Sequence, residues 1–329
     1  MLKMFRKLPK FFFLFLSFLM ILIFFFFFIV SLFQAQTNID QKNVRFVIPK
    51  GQAISIIASR LEDEKLIKSK WAFRFVVYKN NLANKIQAGS FELSANMDVW
   101  QISNALTTGT DDLWVTLPEG WRREEIADSI SKQGLDNFKA EEFLTLSKGL
   151  EGQLFPDTYL VPREITSAAF LSLLKNTFAS KITTPFAKEI SASQLSLNQI
   201  LTLASLVQRE SASEAEMPLV AGILSNRLRI GMALQVDATL QYIKGYSKTE
   251  LSWWPNPLAD DKKIDSLYNT YKHASLPPGP ICNPGLAAIK AALNPSSTSA
   301  LYYIHDNAGK IHTAETVEEH NSNVNKYLR

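Results

Sequence analysis

Between Phe11 and Phe33 the only polar side chains are Ser17 and Ser31, and this run of about 23 residues constrains the chain more than any other feature. Wound as a helix at ~1.5 Å per residue, it matches a hydrocarbon core of about 30 Å. A cleavable signal peptide has a shorter apolar stretch of ~7–15 residues and then small residues, whereas this run ends in Leu32, Phe33 and Gln34. The pattern predicts a retained transmembrane helix over 11–33. Lys3, Arg6, Lys7 and Lys10 precede it, while Asp40, Lys42 and Arg45 follow. The positive-inside rule then puts a short tip, 1–10, in the cytoplasm and exports everything after a linker at 34–42.

The exported part is long enough for two or three domains. Four of the basic residues belong to the tip, so the formal charge of +4 argues neither for nucleic acid nor for an acidic substrate. Cys282 is the only cysteine, which excludes an internal disulfide and any thiolate metal cluster. It sits among Pro277, Pro278, Pro280 and Pro284 and reads as a turn position.

Phe46-Val-Ile-Pro-Lys-Gly51 reads as a strand ending in a Pro-x-Gly turn, and Ile54, Ile57, Ala58 and Leu61 then share one helical face. The layout returns at Val115-Thr-Leu-Pro-Glu-Gly120, with Pro49 matched by Pro118, Gly51 by Gly120, Ile57 by Ile126, Ala58 by Ala127, Leu61 by Ile130 and Leu66 by Leu135. Each unit is expected to be a small α+β module. Between them the pattern predicts helices over 68–79 and 100–106 and a strand over 86–93. The first unit, VRFVIPKGQAISIIASRL, resembles the LysM fold, and that likeness implies contact with N-acetylated sugar polymers; a plain spacer is the competing reading.

Ser196-Leu-Asn-Gln199 has capping-box spacing, and Leu197, Ile200, Leu201, Ala204 and Val207 continue as one helical face. Glu210 extends the adjacent apolar stripe, so its carboxyl is expected to be partly desolvated and to favour the neutral, proton-donating form. Ser213-Glu-Ala-Glu216 announces another helix, in which Glu214 and Glu216 suit the first turn. Gln235, Asp237 and Thr239 alternate in an expected extended piece and would then face one way, unless Asp237 only caps the helix 238–243. His305, His312 and His320 lack the spacing of a helical zinc site, so no metal and no cofactor is expected. A C-terminal helix over 316–328 would dock through Val317, Val324 and Leu328.

The blocks EGQLFPDTY, LASLVQRES, NRLRIGMALQVDATLQY, YNTY, LPPGPICNPG and HTAETVEEHN occur in this order between Glu151 and Asn321. Together they resemble the MltG/YceG-like endolytic murein transglycosylases. The resemblance implies an α+β protein: a transmembrane helix, a LysM-like subdomain at 43–112, a second α+β module with substrate loops at 113–195, and a mixed α/β catalytic subdomain at 196–329. It implies a lyase that cuts the MurNAc-β-1,4-GlcNAc bond of nascent peptidoglycan strands, leaves 1,6-anhydroMurNAc ends and so terminates strand elongation. It also implies peptidoglycan synthases as partners.

By the ASxVxxE pattern the single catalytic acid maps to Glu210. Gln235, Asp237, Thr239, Asn269, Tyr271, Asn283, Glu151 and Asp157 fall in the same blocks and are expected around the sugars. Gln208 departs from the family pattern, in which many relatives carry Glu, and this leaves Glu210 as the lone carboxylate there. A non-catalytic peptidoglycan-binding scaffold for synthases is the alternative from another class. A glycosidase using water is the third reading, and it needs a second acid such as Asp237 or Glu151.

Overall fold

A computed structural model describes residues 10–36, 43–49, 51–108 and 112–328. Positions 1–9 of the expected tip, 37–42 of the expected linker and Lys50 of the first Pro-x-Gly turn lie outside the described residues. The chain is mixed α+β and divides into two compact units, Met1–Trp114 and Val115–Arg329.

The first unit opens with α1 (Lys10–Ser31), in which Leu14–Ser31 is long and apolar enough to cross a membrane and is covered by no other part of the protein. The run stops being purely a membrane segment at its end: the ring of Phe33 meets Phe75 edge-on at 5.8 Å, and its carbonyl accepts from Val99 N at 3.2 Å. Then β1 (Val44–Ile48), α2 (Ile54–Asp63), α3 (Lys70–Lys79) and β2 (Gly89–Leu93) form a β-α-α-β module, followed by α4 (Val99–Ala105). β1 and β2 are antiparallel, with Phe46 opposite Phe91. Ile57, Ala58 and Leu61 of α2 are buried against Phe73, Val76 and Val77 of α3, as the apolar spacing requires. Ser69 caps α3, and an Asp98–Gln101 capping box starts α4.

The second unit repeats the order with β3 (Leu113–Thr116), α5 (Arg123–Ser131), α6 (Ala140–Leu146) and β4 (Thr158–Val161), and β3 pairs with β4. Gly51 and Gly120 have the same left-handed φ of +79°, which glycine adopts without strain. Ile126, Ala127 and Ile130 are buried like their counterparts in α2.

From here the chain is helical: α7 (Ser167–Phe178), α8 (Ala187–Ala192), α9 (Leu197–Glu210), α10 (Met217–Arg229), α11 (Asp237–Lys244) and α12 (Leu286–Leu293). α9 starts at the expected capping box, with Ser196 Oγ accepting from Gln199 N and Gln199 Oε1 from Ser196 N. Ile200 to Val207 are buried without interruption, so α9 is the central core helix, and α10 and α12 pack on it. Each fully buried aliphatic side chain contributes about 1.5–3 kcal/mol, which fixes the end of α9 firmly. Cys282 belongs to this core, with Sγ 3.5 Å from the carbonyl of Ser205.

The chain closes with the hairpin β5 (Tyr302–His305) and β6 (Ile311–Ala314), and with α13 (Val317–Tyr327). Of the three aliphatic residues expected to dock α13, Val324 is half-buried while Val317 and Leu328 are exposed. Aromatic stacking adds to this: His320 lies on Tyr302 at 5.2 Å, and Tyr327 on His312 at 3.6 Å.

Candidate active site around Glu210

Glu210 is the last residue of α9. It is half-buried, and its carboxyl is met by Tyr303 and by the first turn of α11. The Tyr303 hydroxyl donates to Oε2 at 2.6 Å, and the backbone N–H of Ala238 donates from the α11 N-terminus. Burial raises the pKa of Glu210 above the ordinary carboxylate range, and the negative charge of Asp237 pushes the same way. The Tyr303 hydroxyl, His305 and the Ala238 N–H oppose that rise. The group is therefore biased toward the neutral form yet is supplied with donors that receive the charge when the proton leaves.

Asp237 stands beside it, holding a 2.6 Å hydrogen bond from the Tyr271 hydroxyl. Burial lifts the Tyr271 phenol, and its bond to Asp237 lifts it further. Two carboxyl groups with two phenols thus meet at one place, and Arg227 explains how. Its buried guanidinium donates to Leu301 O and to Leu234 O, both at 2.6 Å, which ties the start of β5 to the loop before α11. One residue so sets the approach of Tyr303 and of Asp237 to Glu210.

Two residues along β5, His305 Nε2 lies 3.0 Å from Glu216 Oε1. Glu216 also accepts from the backbone N–H groups of Ala212 and Ser213 and so clamps the turn that leaves Glu210. It is more than a first-turn acid: the capping box that the spacing foretold starts the single 3-10 turn Glu214–Glu216, whose last residue precedes α10.

On the opposite side of the α9 terminus, Gln208 Oε1 accepts from Gly285 N at 2.9 Å, and its side chain bonds the Glu119 carboxyl. A Cβ on Gly285 would lie 1.9 Å from the Glu119 carboxyl carbon, so glycine is required for that approach. Burial, then the charge of Glu214, raises the Glu119 pKa. Arg209 lies over Trp254 at 3.9 Å, and Trp254 Nε1 donates to Glu125 at 2.9 Å.

The residues expected around the sugars fall into distinct surroundings. Asp237 and Tyr271 join Glu210. Gln235 is exposed at a left-handed φ of +53°, two residues before α11 begins. The expected extended alternation fails here, because Asp237 already opens α11 and Thr239 is buried, bonded to Val236 O and Thr270 Oγ1. Asn269 is buried, its amide spent on Lys262 O, Ile264 O and Tyr271 N, which orients Tyr271. Asn283 is buried too, receiving Gly152 N and Leu154 N and donating to Trp121 O and Glu151. Glu151 in turn accepts from Arg123 N, and burial, then Glu124, pushes its pKa up to about 8. Asp157 pairs with Lys181 at 2.6 Å on the surface. Among the described residues no three His, Cys, Asp or Glu groups are placed to hold a metal.

Tyr303, Arg227, His305 and Glu119 were not singled out as site residues from sequence. The alternation of Tyr303 and His305 in the strand-like LYYIH was the available signal, since such residues share a sheet face.

Residues 46–326 match the model of the YceG-like family. The chain is 32% identical to the endolytic murein transglycosylase of Bacillus subtilis, over 91% of its own length and 88% of that protein. It is 30% identical to the protein of the same name from Streptococcus pneumoniae strain D39, of which it spans 60%. The crystal structure of a YceG-like protein from Listeria monocytogenes superposes with a TM-score of 0.57 at 27% identity, covering 86% of this chain and 99% of that one. With a family match from Phe46 to Lys326 and a 32% identical relative matched along most of both chains, this chain belongs to the YceG-like family.

Proposed function

We propose that the chain is a membrane-anchored peptidoglycan lytic transglycosylase with Glu210 as its single catalytic acid and base. The observation that carries this is the enclosed, donor-ringed Glu210 carboxyl, 2.6 Å from the Tyr303 hydroxyl. The printed names of the relatives from B. subtilis and S. pneumoniae support the substrate class.

In this reading neutral Glu210 gives its proton to the glycosidic oxygen of a MurNAc-β-1,4-GlcNAc linkage, and the C1–O bond breaks. The Tyr303 hydroxyl and the Ala238 N–H then stabilise the carboxylate. That carboxylate takes the proton of the MurNAc C6 hydroxyl as O6 bonds to C1. The products are a free GlcNAc hydroxyl and a 1,6-anhydroMurNAc end; no water is consumed, and Glu210 ends protonated. Asp237, held by Tyr271 beside Glu210, supplies negative charge suited to offsetting the positive charge that develops at C1. Gln235, exposed beside it, is suited to sugar hydroxyls.

The apolar helix over Leu14–Ser31 supports anchoring, and the basic residues before it support an outward-facing catalytic part. Cutting nascent strands from that position would end their elongation, and peptidoglycan synthases in the same membrane are the expected neighbours. The β-α-α-β module of the first unit is proposed to touch the glycan.

The test is mass spectrometry of uncrosslinked nascent strands incubated with the full chain in detergent. New 1,6-anhydroMurNAc ends are expected from the parent and none from Glu210→Gln. Reducing ends instead would favour hydrolysis with Asp237 as the second carboxylate. Intact strands with a folded, strand-binding parent would overturn catalysis in favour of a scaffold.

A further inference from the structure

The face of α5 opposite its buried stripe borders a cleft of about 300 Å³ that the chemistry at Glu210 does not use. Glu125, Asp128 and Lys132 follow one another along that face at helical spacing, Gln133 stands at its end, and Trp121 and Trp253 supply aromatic wall. Trp253 is held in advance: the Arg122 guanidinium lies 5.0 Å from its ring, and Tyr246 abuts it at 5.2 Å. Trp121 is half-buried, and its indole makes no hydrogen bond or ring contact among the described residues. The rim is electrically subdued, because Asp128 is paired with Lys132 at 2.7 Å and Glu125 is occupied by Trp254 and by the backbone of Arg122.

Indole surface with a rim of alternating donors and acceptors and little net charge suits one ligand shape: a ring with an apolar C–H face and polar edges. A pyranose has that shape; a phosphate or a hydrocarbon chain does not. The cleft also lies next to the reaction centre, since Glu125 bonds Trp254, and Trp254 lies under Arg209, the residue before Glu210.

We propose that the cleft between Trp121 and Trp253 is a subsite for an N-acetylhexosamine ring of the glycan strand, separate from the bond that is cut. This rests on the reading that glycan is the substrate. A second holding point of this kind would keep a long strand in register while Glu210 acts, and would favour strands over short fragments.

The probe is chitohexaose, a β-1,4-linked N-acetylglucosamine hexamer without lactyl group or peptide, titrated calorimetrically into the full chain in nanodiscs. Trp121→Leu removes an indole with no hydrogen bond or ring contact among the described residues, so its melting temperature should stay close to that of the parent. Its affinity should fall about tenfold, equivalent to ~1.4 kcal/mol. Trp253→Leu is the second variant and should weaken binding similarly, and Glu210→Gln should bind like the parent. In strand cleavage, Trp121→Leu should raise KM and keep kcat. Unchanged affinity and KM in both tryptophan variants, or a parent that does not bind the hexamer, would overturn the subsite. If strands are cut normally while Trp121→Leu changes nothing, the subsite falls alone. If no strand is cut but hexamer binding still depends on Trp121, the subsite stands and the cleavage reading falls.

Discussion

The two β-α-α-β repeats share a turn, a helix stripe and a strand pairing, yet they differ in what they bury. The described buried polar residues of the first unit are Ser69, Ser94 and Ser103, none of them ionisable. Those of the second include Arg122, Glu151, Glu216 and Arg227. The divergence starts at the turn. After Gly51 the chain reads Gln52-Ala-Ile-Ser-Ile56, whereas after Gly120 it reads Trp121-Arg-Arg-Glu-Glu125. A Cβ on Gly51 would meet nothing within 4 Å, while one on Gly120 would touch the side chains of Gln208 and Arg209. The same scaffold is closed on itself in the first unit. In the second it carries charges that brace the end of α9, Glu119 through Gln208 and Glu125 through Trp254, which lies under Arg209. Among the described residues, buried charge is confined to the second unit, where it gathers around α9 and the elements packed on it.

What the repeats share should cost the same in both. Ile57 and Ile126 are each about 1% exposed, and truncating either to Ala should cost about 2–5 kcal/mol in its own unit. Hydrogen exchange read unit by unit measures this. A much smaller loss for Ile126→Ala would mean that the second repeat is held by its charges rather than by the shared stripe.

The charges should show as a pH dependence confined to the second unit. The pKa of Glu151 is raised from 4.5 to about 8, first by burial and then by Glu124. Between those values the folded state keeps a proton that the unfolded state has lost. Stability of the second unit therefore falls as pH rises through that window, and the full penalty is present above about 8. At ~1.4 kcal/mol per tenfold change in proton affinity the loss is of the order of a few kcal/mol. Urea unfolding of Glu151→Gln from pH 4 to 9 should show a flatter profile than the parent. A parent profile that rises across the same range would contradict the burial of that carboxyl.

Arg122 offers the sharpest exchange between repeats. It donates to Glu124 and to Tyr242 O, and lies 4.3 Å from the Tyr242 ring, whereas its counterpart Ala53 is exposed. Arg122→Ala should cost about 2–3 kcal/mol, and Ala53→Arg should stay within ~0.5 kcal/mol of the parent. Equal effects in thermal unfolding would show that the two turns are not differently loaded.

Much of this contrast was legible beforehand. Apolar spacing disclosed α1, α2, α5 and α9, and capping boxes marked the starts of α9 and of the short turn that leads into α10, because these are local signals. Thr239, Asn269 and Asn283 look like sugar binders in a block pattern, since polar residues in a motif carry no mark of whether they face ligand or backbone. Each is here spent on the protein's own N–H and C=O groups. Tyr303 lies 93 residues from Glu210, and no periodicity links them. Long-range contacts bring that strand to the site, among them the Arg227 bond to Leu301 O and the pairing of His305 with Glu216.

Tyr303→Phe should have the smallest effect and should leave both repeats untouched, because Tyr303 belongs to β5. Its hydroxyl favours the ionised form of Glu210 and so holds down a pKa that burial has raised. Asp237 pushes that pKa up as well, His305 and the Ala238 N–H pull it down, and the Arg227 charge reaches both Glu210 and Tyr303. Removing the hydroxyl leaves the upward influences less opposed. An acid that must start protonated then works to higher pH, so the alkaline limb of kcat/KM should move to higher pH. The rate at neutral pH should fall only several-fold, since Ala238 N–H still receives the carboxylate, and His305 still holds Glu216. A limb that stays in place would show that the group titrating in the rate is not Glu210, while a limb displaced downward would show that the hydroxyl accepts from the acid rather than donating to its anion.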